Sequence, residues 1–237
     1  MPVSLYTAKI SEKQVIGEKF LFLKLELLQP NKIVFDAGQY ILLNCPDIPQ
    51  KRQYSITSAP RLDHAIELLV EVLPDGKASG YLQRQEPGAD ISFYAPAGEF
   101  TIKEEVSATQ DPLVFIGTGS GIAPLRSLIL DQLRSKKTTR QIYLYWGMRN
   151  AENLFWLDQF EELHDNFPNF QYHITLSQAN DDWKLCRGRV TDCLSVHDML
   201  PNAHYYLCGN PHMVEDVMKV LSTRGVDASR IHHEKFS

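Results

Sequence analysis

Long apolar runs are missing from this 237-residue sequence. No stretch approaches the roughly 18 residues that suggest a membrane-spanning helix, so no membrane insertion is expected. The start, Met1-Pro2-Val3-Ser4, lacks the basic and then apolar stretch of a signal peptide, which makes the cytoplasm the expected location. A basic excess is absent too: 24 Lys and Arg face 29 Asp and Glu, for a formal charge of -5. Phosphate-backbone-binding surfaces normally carry the opposite balance, so no nucleic-acid partner is expected. The run Arg134 to Arg140, with Lys136 and Lys137 inside it, reads as a solvated turn between a helix and a strand. Cysteines are few and scattered, at Cys45, Cys186, Cys193 and Cys208. Cys186 and Cys193 stand seven apart, outside the usual short ligand spacing, and no histidine pair completes a zinc pattern. His232 and His233 have no third ligand close in sequence, so no metal site is expected. The closely spaced cysteines of an iron–sulfur cluster are also lacking, which places any such centre on a partner.

What is present divides into two halves. Residues 1 to about 100 read as short strands, among them Phe20 to Leu28, Gln39 to Asn44 and Ala65 to Val72. Proline, glycine and aspartate punctuate the gaps at Pro30, Pro46, Pro74-Asp75-Gly76 and Pro87-Gly88, a pattern of antiparallel barrels and sandwiches. The sequence turns polar around Thr101 to Pro112. Beyond it, strands at Leu113 to Ile116, Ile142 to Trp146, Phe170 to Leu176 and Tyr205 to Cys208 alternate with helical patterns. These patterns carry Leu125, Leu128, Ile129 and Leu133, then Leu154, Leu157 and Phe160, then Val214, Val217, Met218 and Leu221. That alternation implies a doubly wound parallel sheet with ligands beyond the carboxyl ends of its strands. The expected architecture has two domains: an antiparallel β-barrel over 1–105 and an α/β domain over 106–237.

Gly117-Thr118-Gly119-Ser120-Gly121 follows the first parallel strand. Glycines there let backbone N–H groups approach an anionic pyrophosphate at a helix N-terminus, and Pro124 suits the first helical turn. The spacing departs from the full G-x-G-x-x-G fingerprint, and Tyr145-Trp146-Gly147 replaces an acidic residue at the end of the next strand. The loop therefore supports nucleotide binding without choosing the nucleotide. It is not a P-loop, since the Lys-Ser/Thr pair is absent. In the first half, Arg52-Gln53-Tyr54-Ser55 combines a cationic fork suited to phosphate, a flat face for a conjugated ring and a hydroxyl able to donate to a ring nitrogen. A surface arginine beside a packed tyrosine would leave the same local signature.

Read together, the blocks resemble the ferredoxin–NAD(P)H reductase superfamily over nearly the whole chain. They run in order: RQYSITSAP from Arg52, GKASGYL from Gly76, GTGSGIAPLRSL from Gly117, YWGMRNAENLFW from Tyr145, RGRVTD from Arg187, YYLCGNPHMV from Tyr205 and HHEKF from His232. The nearest members are small oxygenase reductases and NAD(P)H-flavin reductases without an iron–sulfur domain.

The resemblance implies a flavin-binding barrel, a nicotinamide-binding α/β domain and a C-terminal tail returning to the flavin. It assigns Arg52 to a flavin phosphate, Tyr54 to the isoalloxazine face, Ser55 to the neighbourhood of N5, and Gly76 and Ser79 to the pyrophosphate. Gly117, Thr118, Gly119, Gly121 and Pro124 face the nicotinamide nucleotide, with Cys208, Gly209 and Pro211 near its nicotinamide. Glu234 and Phe236 match a terminal acidic-x-aromatic pattern near the flavin. Ser55, Cys208 and Glu234 are the expected catalytic group, serving a hydride transfer whose intrinsic chemistry belongs to the cofactors. FAD is the expected flavin, with FMN or an exchangeable flavin as alternatives. Ser177-Gln178, with Asp181 and Asp182 nearby, favours NADH over NADPH, whereas Arg149 would tolerate a 2′-phosphate. Electrons would then pass to an iron–sulfur protein or oxygenase component, or leave on free reduced flavin. A non-catalytic electron-transfer subunit is the remaining alternative. Subunits that serve dihydroorotate oxidation carry a cysteine cluster near the C-terminus that this sequence lacks.

Overall fold

The computed structural model describes residues 2–46, 48–197, 200 and 202–235. It divides into two compact units: Met1–Thr101 with Arg126–Lys136, and Ile102–Leu125 with Lys137–Ser237.

The first unit is a six-stranded antiparallel sheet of β1 (Ser4–Ile16), β2 (Phe20–Gln29), β3 (Tyr40–Cys45), β4 (Ile48–Ser55), β5 (Ala65–Glu71) and β6 (Asp90–Ala97), in the order β4-β3-β6-β1-β2-β5. A bridge between Ile56, just past β4, and Leu68 of β5 links the two edges and curls the sheet into a barrel. Strand parity sorts β2. Leu21, Leu23, Leu25 and Leu27 enter the core with Ile10, Ile41, Leu68 and Phe93, while Phe20 and Phe22 are buried on the opposite face. A short helix, α1 (Lys77–Arg84), lies between β5 and β6.

The second unit holds α2 (Glu104–Ser107) and a six-stranded parallel sheet: β7 (Leu113–Thr118), β8 (Ile142–Met148), β9 (Phe170–Leu176), β10 (Cys186–Arg187), β11 (His204–Gly209) and β12 (Ile231–Lys235). Its order, β10-β9-β8-β7-β11-β12, reverses direction at β7, which creates the crevice at the carboxyl ends of β7 and β11 where doubly wound sheets bind ligands. Helices α4 (Leu157–Asn166), α5 (Val190–Ser195) and α6 (Pro211–Thr223) pack on this sheet. Val214, Val217 and Leu221 form the buried stripe of α6, as their spacing predicts. The intervening helix α3 (Ile122–Leu130) continues as a wider π turn over Asp131–Ser135.

Three local expectations change. The basic run does not end in a solvated turn: Arg140 is buried and donates to the carbonyls of Val106, Ser107 and Thr109 at 2.5–3.2 Å, where a cation meets the negative end of α2. Leu154 lies outside α4, immediately after a 3₁₀ turn at Ala151–Asn153. The returning tail is itself a strand, β12, paired with β11. Phe236 lies outside the described residues. Among the described residues no helix is long and apolar enough to cross a membrane.

Candidate functional site

In the first unit, β4 is a sheet edge, so its residues are covered on one side only. Lys51, Arg52 and Gln53 are exposed, Tyr54 is half-buried and Ser55 is buried. The Arg52 guanidinium reaches the Gln50 carbonyl at 3.5 Å, a contact too long to hold it firmly. Burial raises the Tyr54 hydroxyl well above its ordinary range, so it remains a neutral donor. Lys51 sits 3.8 Å over the Tyr94 ring, a cation–π contact that spends its charge on the sheet rather than on a ligand. Arg52, Tyr54 and Ser55 thus arrive consecutively on one strand, passing from a solvated cation through an aromatic face to a sheltered hydroxyl.

Gly76 opens α1, and a Cβ there would fall 2.2 Å from Ser79 Oγ. The Ser79 hydroxyl accepts from Leu73 N and donates to the Gly76 carbonyl, each at 3.2 Å. Ser79 is therefore buried and committed to the backbone. The first backbone N–H groups of this turn are ones that a helix start leaves without intrahelical acceptors.

In the second unit the parallel register aligns Gly117, Cys208 and Glu234 across β7, β11 and β12. The glycines are explained by lack of room. A Cβ on Gly121 would lie 2.2 Å from the Cys208 carbonyl oxygen and 2.7 Å from Gly209 Cα. Gly209 holds φ at +135°, and a Cβ there would lie 2.7 Å from Thr118 Oγ1 and 2.8 Å from the Thr118 carbonyl oxygen, so the loop after β7 and the end of β11 pack closely. Asn210 N donates to Thr118 Oγ1 at 3.4 Å, and the Asn210 side chain caps α6 with Pro211 in its first position. Trp146 Nε1 donates to the Gly119 carbonyl at 3.1 Å and fixes the loop from β8. Pro124 falls in the first turn of α3.

Cys208 is fully buried. Desolvation, and then the neighbouring Glu234 carboxylate, hold its thiol well above the ordinary range, so it remains protonated. Burial likewise raises Glu234 to about 7, and its Oε2 has no hydrogen-bond partner among the described residues. Such a carboxyl can accept or donate a hydrogen bond near the carboxyl end of the sheet. Farther along the same edge, Ser177 N donates to the Met148 carbonyl at 3.0 Å and Gln178 N to the Arg149 carbonyl at 2.7 Å. This pairing brings exposed Arg149 beside exposed Ser177 and Gln178. Asp181 and Asp182 are exposed on the loop that follows.

These residues fit the two cofactors. An exposed arginine followed by a half-buried aromatic suits a flavin phosphate and ring. A loop whose glycines leave no room for a Cβ, beside a carboxyl oxygen without a hydrogen-bond partner among the described residues, suits a nucleotide backbone and its amide-bearing ring. Sequence reasoning missed the supports: Trp146 and Asn210 of the glycine loop, and Arg126 with Ser127. Within the first unit Arg126 donates to Glu67 and to the Thr57 carbonyl, both at 2.8 Å, and Ser127 to the Ser58 carbonyl at 2.6 Å. An arginine amid the apolar stripe Leu125-Leu128-Ile129 was the available signal, because a charge on a buried face requires a partner.

The Oxidoreductase FAD-binding domain model matches residues 7–102 and the Oxidoreductase NAD-binding domain model matches residues 115–219. The reductase component of propane 2-monooxygenase from Rhodococcus jostii (strain RHA1) is 30% identical over 244 residues, covering 100% of this chain and 65% of that protein. The Na(+)-translocating NADH-quinone reductase of Neisseria meningitidis (serogroup C, strain 053442) has a component that is 30% identical over 261 residues, covering 90% of this chain and 64% of that protein. The chain thus spans a little under two thirds of the length of these curated relatives. Among solved structures, the Amycolatopsis cytochrome P450 reductase GcoB superposes with a TM-score of 0.90 at 30% identity, over 99% of this chain and 70% of that one. With a flavin-domain match followed by a nicotinamide-domain match, and this likeness to GcoB, the chain belongs to the ferredoxin–NAD(P)H reductase superfamily.

Proposed function

We propose that this chain takes hydride from NADH, in preference to NADPH, onto a bound FAD and hands the electrons singly to an iron–sulfur protein or oxygenase component. The observation that carries this reading is the pairing of two built features. One is the Arg52-Tyr54-Ser55 edge on the first unit, and the other is the glycine-rich Gly117–Gly121 loop interlocked with Cys208-Gly209 on the second. When bound, FAD would supply the two-electron acceptor and the one-electron release that no side chain offers. Arg52 holds its phosphate, Tyr54 covers the ring, and Ser55 donates at the ring edge. Gly76 and the first N–H groups of α1 receive the pyrophosphate, with Ser79 shaping that turn from beneath. On the second unit, the backbone from Gly117 to Gly121 receives the nicotinamide nucleotide's pyrophosphate at the start of α3. Cys208 and Glu234 orient the nicotinamide, with Glu234 able to hold a proton near neutral pH. Asp181 and Asp182 oppose a 2′-phosphate, outweighing the single nearby Arg149.

The oxygenase or iron–sulfur partner rests on the relatives, two of which are named as reductases serving a monooxygenase and a cytochrome P450. The spectrum of the purified protein and chromatography of its released flavin test the proposal, with matched NADH and NADPH kinetics. A yellow protein releasing FAD and reducing a one-electron acceptor without added flavin supports it. A colourless protein that reduces added FMN would make it a free-flavin reductase. Absence of any NAD(P)H oxidation would make it a non-catalytic subunit. A clear NADPH preference would overturn the donor assignment.

A further inference from the structure

We propose that the second unit carries a binding site for a soft divalent cation, Zn²⁺, formed by Cys186, Cys193 and His197, apart from the Cys208–Glu234 crevice. The sulfur atoms and one imidazole nitrogen of this trio lie within 4.8 Å of one another. Zinc bonds of about 2.3 Å to sulfur and about 2.0 Å to nitrogen place tetrahedral neighbours roughly 3.5–3.8 Å apart. Cys193 Sγ and His197 Nδ1 are already 4.0 Å apart, so side-chain adjustment alone closes the set. Coordination through Nδ1 would exchange its present hydrogen bond to the Cys193 carbonyl, 2.7 Å long, for the metal.

The sequence spacing hides this arrangement because the ligands come from two elements. Cys193 lies on α5 (Val190–Ser195), and His197 follows two residues past the helix end, with its Nδ1 turned back to 2.7 Å from the Cys193 carbonyl. Cys186 arrives from β10, where it pairs with Thr175 of β9. Its backbone is held from both sides, with Trp183 Nε1 donating to the Cys186 carbonyl at 2.9 Å and Thr175 Oγ1 to the Gly188 carbonyl at 3.1 Å. The ligand frame is thus set by sheet and helix before any cation arrives, as a specific site requires.

The chemistry suits a soft metal. Two thiols and an imidazole select zinc over hard cations such as Mg²⁺ or Ca²⁺. The Cys193 and Cys186 side chains are already in hydrogen-bond contact, so the two sulfurs converge before a cation arrives. The His173 ring lies 4.0 Å from that of His197 and packs against it on the adjoining side. His197 and His173 also border a cavity of about 300 Å³ with Tyr145 and Gln171, from which water can occupy the fourth position. Binding replaces two S–H bonds with two Zn–S bonds and releases both protons to solvent. The bound cation would clamp β10 to α5, at the base of the loop that carries Asp181 and Asp182.

The flavin-loaded protein, reduced, stripped with chelator, titrated with ZnCl₂ and desalted, tests the site by its retained zinc. The wild type should hold one equivalent more than Cys186→Ser or Cys193→Ser, and zinc should protect Cys186 from a thiol reagent. His197→Ala should weaken retention by more than about tenfold. Cys186 is only partly buried on an edge strand, so Cys186→Ser keeps the test usable if the Cys193 variant fails to fold. Equal zinc retention by wild type and Cys186→Ser would overturn the proposal. So would a Cys186–Cys193 disulfide whose reduction yields protein that takes up no zinc.

Discussion

Glu234→Gln is the most informative single substitution, because it separates the charge of Glu234 from its shape. The carboxyl ionises near 4.5 in the unfolded chain, but burial holds it to about 7 in the fold. Below 4.5 both states are protonated and the group's full contribution to stability is present. As pH rises from 4.5 to 7 the unfolded chain releases a proton that the folded chain keeps, and that contribution is progressively lost. Above about 7 the loss is complete. At about 1.4 kcal/mol per pKa unit this amounts to about 3 kcal/mol. Water reaching a half-buried side chain trims it to about 2–3 kcal/mol. The glutamine cannot ionise, so the variant should gain on the wild type by that amount between about pH 5 and pH 8. Urea unfolding of the flavin-saturated proteins across that range measures the difference. A gap that stays constant within about 0.5 kcal/mol, or that widens toward acid, would refute the reasoning.

Four further outcomes are expected. Arg52→Ala should weaken flavin binding by about 10- to 100-fold through loss of charged phosphate contacts, read by flavin release on dilution; unchanged affinity would remove Arg52 from the site. Cys208→Ala should slow hydride transfer in stopped-flow reduction more than it weakens flavin retention, and the reverse pattern would count against its assignment. Gly121→Ala forces a methyl against the Cys208 and Gly209 backbone, so it should cost about 1–3 kcal/mol and raise the KM for NADH, whereas a stable variant with normal KM would show that the loop yields. Glu67→Ala removes the carboxylate 2.8 Å from the buried Arg126 guanidinium and should destabilise by about 3 kcal/mol in denaturant titration; a change below about 1 kcal/mol would mean that the remaining contacts of Arg126 suffice.

Much of this chain was legible as one-dimensional pattern. Strand and helix periods separate an antiparallel half from a parallel one, since a residue's face in a strand or helix follows from its spacing alone. Arg52-Tyr54-Ser55 and Gly117–Gly121 were legible because each is contiguous, and the order of the blocks revealed the family. Where an element is short or its partner distant, that pattern fails. The two-residue strand β10 has no period to detect. Arg140 looks like part of a charged turn until α2 places three carbonyls around it. Ser79 has the residue type of a phosphate donor, but folding spends its hydroxyl on Leu73 and Gly76.

The sequence by itself determined the two-domain class, because strand and helix periods depend on local spacing, and it pointed to two contiguous candidate cofactor motifs. Only the tertiary structure decided which groups are short of partners. Packing leaves Glu234 with an oxygen unpaired among the described residues, keeps Cys208 protonated, and brings Cys186 within reach of Cys193 and His197. Spacing along the chain cannot convey that, since desolvation and proximity belong to neighbours that arrive from elsewhere in the fold.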